Sequence, residues 1–307
     1  HPAIEKLLEY RRVTKLNATY IVGLTEKIDR DGRVRSLFDQ TATVTGRLSS
    51  NEPNLQNIPV RTEEGRRIRR AFIARPGWLL VDADYSQIEL RILAHLSGDE
   101  NMIDAFVKGQ DIHARTAAEV YGVPLEDVTP QMRSASKAVN FGIVYGISDF
   151  GLARNIGVSR KEAAEFIERY FARYPGVKRF MDSAVADGKA LGYAQTMFGR
   201  RRPLPELQSS NYNVRSFGER VAMNTPVQGA AADIIKLAMV RVFEALRAEK
   251  MRSRLILQVH DELIVECPPE EAGRAQALLT DCMENVTALK VPLRADAHCA
   301  ESWFDAK

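Results

Sequence analysis

The chain has 307 residues, a net charge of +3, 45% hydrophobic and 27% charged residues, the make-up of an ordinary soluble globular protein with room for one to three domains. It contains no apolar run near the roughly 20 residues of a membrane span, and no secretory leader is visible. The three cysteines, Cys267, Cys282 and Cys299, are too scattered to suggest a zinc site or a disulfide framework, so a reducing, cytoplasmic setting with no membrane partner is expected.

His1 leads directly into helical spacing at Ile4, Leu7, Leu8, Val13 and Leu16, predicting a helix over 3–22. The expectation is a fragment that begins partway through a larger protein. Residues 33–60 read as loops and short strands, and Asn51–Pro59 is too rich in Pro and Asn for regular structure. Strand signals return at 70–74 and 78–84. Ser86-Gln87-Ile88-Glu89 then has the form of a capping box, with Ile88, Ile92, Leu93 and Leu96 as the apolar stripe of the helix it opens.

Residues 99–190 read as almost wholly helical. Asp111 is a helix opener, Thr129-Pro130 places a cap before a first-turn proline, and Ser159…Glu162 forms a second capping box. A short strand is expected at 193–198. A helix from about 212 is expected to break at Thr225-Pro226 and restart through about 249. A hairpin-like pair (255–259, 263–267), a helix over 269–287 and a strand near 291–297 complete the pattern. Strands at both ends around a helical middle predict an α+β fold with one sheet built from both ends of the chain.

Two aspartates end apolar strand signals: Asp84 in Trp78–Tyr85 and Asp261 in Leu255–Val265. An ionised carboxylate beside buried strands is costly without a positive partner. If two of them meet, a divalent metal is the natural compensation, as in phosphoryl-transfer sites whose paired ions lie about 3.5–4 Å apart. The helix opened by Pro130 carries Arg133, Lys137, Phe141 and Tyr145 at intervals of four, so they follow one slowly drifting face. Two cations suit phosphates and two aromatics suit a base or sugar; an exposed basic turn followed by a packed aromatic turn fits the spacing equally. Gly142 and Gly146 cost that helix about 1 kcal/mol each, which predicts a close approach to its backbone. The arginine clusters Arg61, Arg66, Arg67, Arg69, Arg70 and Arg200–Arg202 suit a polyanion held by its backbone or plain solvated surface.

Asp84-Tyr85-Ser86-Gln87-Ile88-Glu89-Leu90-Arg91 resembles motif A of the family A DNA polymerases. Arg133…Lys137…Phe141-Gly142…Tyr145-Gly146 resembles motif B, and Gln258-Val259-His260-Asp261-Glu262 resembles motif C. Thr45–Ser50, Asn54–Pro59 and Pro226–Gly229 also match stretches of that family, so the resemblance spans essentially the whole chain. It implies an α+β fold: an antiparallel palm sheet with a large helical fingers insertion and most of the thumb absent. The expected parts are the base of the thumb (1–27), the palm (28–98 and 211–307) and the fingers (99–210). The rest of the thumb, and any exonuclease region of the same polypeptide, would lie elsewhere.

The resemblance further implies template-directed addition of deoxynucleotides to a primer 3′-hydroxyl, in replication and repair, by a monomer acting on primer-template DNA and dNTP. Asp84, Asp261 and the Tyr85 carbonyl would bind two Mg²⁺ ions, with Mn²⁺ as the alternative. Asp82 lies on the same strand face by period two but outside the family's ligand set. Arg133 and Lys137 would bind the triphosphate, with Lys137 as acid for the leaving pyrophosphate. Phe141 would pack on the deoxyribose and Tyr145 near the templating base. Gln87 and His113 would be substrate and phosphate contacts, and Glu89 would exclude a ribose 2′-hydroxyl. Glu262 would be accessory to catalysis, against a plain reading as a polar turn residue. Arg47, Asn54, Gln56, Asn57, Gln228 and His260 would contact DNA. A single-subunit RNA polymerase shares the aspartates and the Arg/Lys/Tyr helix, but Glu89 and Phe141 argue against it. A nucleic-acid-binding remnant without turnover is the non-enzyme alternative.

Overall fold

The computed structural model describes residues 1–60 and 62–307; Arg61 of the first arginine cluster lies outside them. The N-terminal helix α1 (Pro2–Leu16) buries none of its residues and runs through a wider π-turn, Asn17–Val22, into α2 (Gly23–Thr25), where Tyr20 and Leu24 are buried. Short strands β1 (Leu37–Asp39) and β2 (Ser49–Asn51) pair antiparallel. A single turn, α3 (Glu63–Arg67), precedes β3 (Leu79–Tyr85). The helices α4 (Ile88–Ser97), α5 (Glu100–Val107), α6 (Ile112–Tyr121), α7 (Pro130–Val144), α8 (Asp149–Ile156), α9 (Arg160–Arg173) and α10 (Pro175–Leu191) follow. The chain continues through β4 (Tyr193–Gln195), β5 (Arg201–Pro203), the long helix α11 (Tyr212–Ala248), β6 (Arg254–Val259), β7 (Glu262–Cys267), α12 (Ala272–Glu284) and β8 (Ala295–Ala300). The fold is thus mixed helix and sheet with antiparallel strand pairs.

Contacts divide the chain into two compact units: His1–Asp84 with Lys236–Met283 and Ala295–Lys307, and Tyr85–Ile235 with Glu284–Arg294. The first is organised by a four-stranded sheet of order β6-β7-β3-β8. Every residue of β7 is buried, Glu262 and Glu266 included. The register sets Val81 opposite Val265 and Asp84 opposite Glu262. Leu80, Val259 and Ile264 join Tyr20, Leu24, Leu55, Ile58 and Trp303 in one core cluster. The strand expected at 70–74 is instead a 3₁₀ turn, Ile68–Ala71, followed by one isolated bridge from Ile73 to Ser302. The reason is tertiary: the turn carries Arg69 inward to 4.0 Å from the Trp303 ring, leaving it 5% exposed. Arg69 therefore faces the interior rather than a polyanion.

In the second unit the caps read from sequence are formed. Asp111 accepts from the His113 and Ala114 amides, Thr129 from Met132, and Ser159 with Glu162 closes both halves of a capping box. The arginine run 200–202 is not simply surface. Arg200 pairs with Asp233 at 2.6 Å, Thr196 donates to the same carboxylate at 2.9 Å, and Arg201 lies 4.7 Å from the Tyr193 ring.

Three sequence expectations are corrected here. No side chain caps α4: it starts at Ile88 with Gln87 at its N-cap in a left-handed conformation, so Ser86 and Glu89 do not form the expected box. Helix α11 runs without interruption through Pro226. Val221, Ala222, Val227, Ala230 and Ala231 are all buried, and their burial on both sides outweighs the roughly 3 kcal/mol that an internal proline costs. The Thr225 hydroxyl, expected as a cap, donates back to the Val221 carbonyl at 2.7 Å. The strand expected at 291–297 begins only at Ala295, because Arg91 takes the Pro292 carbonyl at 2.6 Å and His95 Nδ1 accepts the Lys290 amide.

Candidate active site

Strand β3 ends on Asp84-Tyr85, and the β6–β7 hairpin turns through His260-Asp261, with Val259 paired to Glu262. His260 takes a left-handed conformation (φ +55°) to close this turn. Because Asp84 lies opposite Glu262, the turn sets Asp261 beside Asp84, and the two carboxyls feel each other. Burial first, and then the charge of Asp84, pushes Asp261 up to about 7. Burial likewise raises Asp84, opposed by the Lys307 ammonium. Asp84 Oδ1 is buried without a hydrogen-bond partner. Two half-buried, mutually repelling carboxylates with an open oxygen fit a divalent cation. Among the described residues no three His, Cys, Asp or Glu side chains converge on a metal position.

Behind this pair lies a second layer. Asp82 is buried, and burial followed by the negative charge of Glu262 pushes it up to about 9. Burial opposes ionisation of Glu262, but Lys307, Asp82 and Arg69 together hold it below its ordinary value. Glu262 Oε1 accepts from Trp303 Nε1 at 2.5 Å and lies 3.5 Å from Arg69 Nη1, while Oε2 pairs with Lys307. Glu262 is thus 2% exposed and fully engaged, which rules out the plain reading as a solvated turn residue.

The expected DNA contacts in this unit surround the same hairpin. Gln56 Nε2 donates to Gln258 Oε1 at 3.0 Å, and Gln258 Nε2 donates to the His260 carbonyl. The positive charge of Arg47 reaches both His260 and Asp261. Asn54 caps the turn Leu55–Asn57 by accepting from the Gln56 amide, and the Asn57 carbonyl accepts from Tyr20. The Asn54 and Asn57 side chains are exposed.

The second unit carries the helix face read from motif B. Arg133 and Lys137 are exposed on α7, Phe141 is half-buried, and Tyr145 caps the helix with its ring exposed. Arg133 pairs with Asp111 at 2.7 Å; no carboxylate among the described residues pairs with Lys137. His113 is 2% exposed, with its ring 5.7 Å from Phe141. Asn140 Nδ2 donates to His113 Nδ1 at 3.0 Å, which fixes the proton on Nε2, a buried atom without a partner. Burial first, then the Lys137 and Arg133 charges against that of Asp111, pushes His113 down to about 4. It is a neutral donor at pH 7.

Glu89 accepts from the Tyr145 hydroxyl at 2.8 Å, and Gln87 Oε1 is buried without a partner. Gln228 is half-buried within α11. The close approach predicted at the motif B glycines is present: a Cβ on Gly142 would stand 2.7 Å from Ile147, and one on Gly146 (φ +64°) 2.8 Å from Met223. Phe141, Tyr145, Gly146, Ile147 and Arg220 help to line a cavity of about 460 Å³ beside this helix end.

Sequence reasoning missed Lys307, Trp303 and Asn140, and read Arg69 only as part of a cluster for a polyanion or plain surface. Lys307 and Trp303 lie outside every motif, and Asn140 lies within the motif B span but off its four-residue spacing.

The chain resembles known proteins throughout. A family model for DNA polymerase family A matches residues 1–305. DNA polymerase I of Geobacillus stearothermophilus is 56% identical over all of this chain and 35% of its own length. The thermostable DNA polymerase I of Thermus aquaticus is 53% identical, over all of this chain and 37% of its own. The chain thus spans about a third of the curated relatives it matches. A solved structure of the POL domain of Pol1 from M. smegmatis, in complex with DNA primer-template and dNTP, superposes with a TM-score of 0.96 at 47% identity. It is covered over 54% of its length by the whole of this chain. In no described helix is there a segment long and apolar enough to cross a membrane. On the strength of the match across nearly its entire length, this chain is a member of DNA polymerase family A.

Proposed function

We propose that this chain is the palm and fingers of a template-directed DNA polymerase that adds deoxynucleotides to a primer 3′-hydroxyl with release of pyrophosphate, serving replication and repair as a monomer in the cytoplasm. The observation that carries the reading is the pairing of Asp84 and Asp261 at the β3–hairpin junction, inside a chain that matches polymerases over its whole length.

In this reading Asp84, Asp261 and the Tyr85 carbonyl hold two Mg²⁺ ions, or Mn²⁺ in their place. When bound, such ions lower the pKa of the attacking hydroxyl and offset charge on the transferred phosphate. The chain's own residues do the rest. Glu262, fixed by Trp303 and Lys307, holds the hairpin end in place beneath Asp261. Arg133 and Lys137 bind the triphosphate, and Lys137, which has no carboxylate partner among the described residues, is the proton donor to the departing pyrophosphate. Neutral His113 offers its Nε2–H to a phosphate oxygen, its tautomer set by Asn140. Phe141 packs on the deoxyribose, Tyr145 stands near the templating base, and Glu89 excludes a 2′-hydroxyl. Arg47, Asn54, Gln56, Asn57, Gln228 and His260 contact the primer-template. Minor-groove acceptors differ little between base pairs, so these contacts check pair shape without reading sequence.

The test is Mg²⁺-dependent extension of a primed template. Extension should vanish in Asp84→Ala and in Asp261→Ala while the folded signal is retained. Extension without a divalent ion, or at wild-type rate in either variant, would overturn the reading.

A further inference from the structure

The segment Ser302–Lys307 is held against the sheet unit at several points. Trp303 is 1% exposed, its amide donates to the Phe72 carbonyl at 2.9 Å, and its indole donates to Glu262. The Arg69 guanidinium lies 4.0 Å from the Trp303 ring centre and that of Arg70 4.2 Å from the Phe304 ring centre. Ala306 is 1% exposed, and its amide donates to the Ser302 carbonyl at 3.1 Å. Lys307 follows this anchored turn. Its ammonium pairs with Glu262 and stands 3.4 Å from Asp84 Oδ2.

Glu262 does not need this lysine to be satisfied, since Trp303 and Arg69 already face it. Asp84 is different: among the described residues Lys307 is the one cation paired with it. The two oxygens of Asp84 are divided, Oδ2 toward the lysine and Oδ1 buried without a partner. We infer that Lys307 is a built-in counter-cation of the Asp84–Asp261 centre, standing in for divalent charge in the metal-free protein and competing with the ion that binds there. The inference rests on the reading of Asp84 and Asp261 as ion ligands. It assigns Lys307 a positioning role, keeping the two strand ends together when no ion neutralises them and setting how tightly an ion is taken.

The test measures Mn²⁺ binding to the DNA-free, nucleotide-free protein through the electron paramagnetic resonance signal of unbound Mn²⁺, with thermal melting in parallel. A positive charge within a few ångströms of a bound cation, partly screened because Lys307 is half-exposed, predicts that Lys307→Gln tightens Mn²⁺ binding by about fivefold or more. Lys307→Arg, which keeps the charge, should bind as wild type. In chelator Lys307→Gln should melt below wild type, and added Mn²⁺ should close that gap. Equal or weaker Mn²⁺ binding by folded Lys307→Gln, or a melting gap that Mn²⁺ leaves unchanged, refutes the inference. Asp84→Asn separates the two levels. If it weakens Mn²⁺ binding while Lys307→Gln changes nothing, only the lysine inference falls. If Asp84→Asn binds Mn²⁺ as wild type does, the ion-site reading falls and takes the inference with it.

Discussion

The Tyr145 hydroxyl donates to Glu89 Oε2 at 2.8 Å, tying the end of α7 to the first turn of α4. Glu89 is 7% exposed and Tyr145 40%. The tyrosine therefore holds a buried carboxylate in place while presenting its own ring to solvent. Local sequence offered this glutamate a capping partner in Ser86, and the tertiary contact replaced it.

In the proposed function this pair governs sugar selectivity, which substitution can test. Glu89→Ala should raise ribonucleotide use by about a hundredfold, the scale on which shape alone rejects an added hydroxyl. Tyr145→Phe keeps the carboxylate but removes its donor, and should relax selectivity by about tenfold, the equivalent of one hydrogen bond. The ratio of kcat/KM for rNTP and dNTP in primer extension measures both; an unchanged ratio in Glu89→Ala sinks the assignment.

Phe141 should decide how a sugar without a 3′-hydroxyl is received. A tyrosine hydroxyl at this position can replace the missing hydrogen-bonding group, so Phe141→Tyr should raise dideoxynucleotide incorporation by about tenfold or more. Equal chain termination by the two proteins in a sequencing-type ladder would falsify this.

The motif B glycines make a stability prediction. In Gly142→Ala the new methyl meets the Ile147 side chain near its branch point, an overpacking cost of about 1–3 kcal/mol. Gly146→Ala adds a left-handed backbone penalty to the clash with Met223 and Arg220, for a total of about 2–4 kcal/mol. Chemical denaturation measures both, and Gly146→Ala should be the less stable. The reverse order would count against the left-handed strain.

His113 gives a pH dependence. Its folded pKa lies at about 4, below the ordinary 6.5. The unfolded chain therefore binds the extra proton first as pH falls. Stability from this group is fully present above pH 6.5 and is lost as pH drops toward 4, at most by about 3 kcal/mol. His113→Gln should show a shallower loss of stability across that window than wild type, with melting temperature against pH as the readout. Parallel curves would show that the histidine is not held neutral by burial.

Much of the site was legible because its residues are spaced by the periods of the elements that carry them. Arg133, Lys137, Phe141 and Tyr145 recur every four residues along one helix, and the Asp111, Thr129 and Ser159 caps depend on side chains reaching amides two or three residues away. Such information is local, so sequence holds it. The same locality misled at Thr225-Pro226, where a cap-then-proline signal was overridden by buried residues on both sides, and at 70–74, where Arg69 turns inward to Trp303.

By itself the sequence determined which strand ends and which helix face the candidate side chains occupy. It also required that Asp84 and Asp261 have positive charge between or beside them, because desolvating a carboxylate is costly wherever it occurs. Only the tertiary structure decided what satisfies that requirement in the protein alone. The β3–β7 register brings the two aspartates together, and the segment ending in Lys307 returns across more than two hundred positions to place an ammonium beside Asp84. Contacts between residues so far apart follow no period, so they are set by how the whole sheet packs and leave no trace in the local pattern.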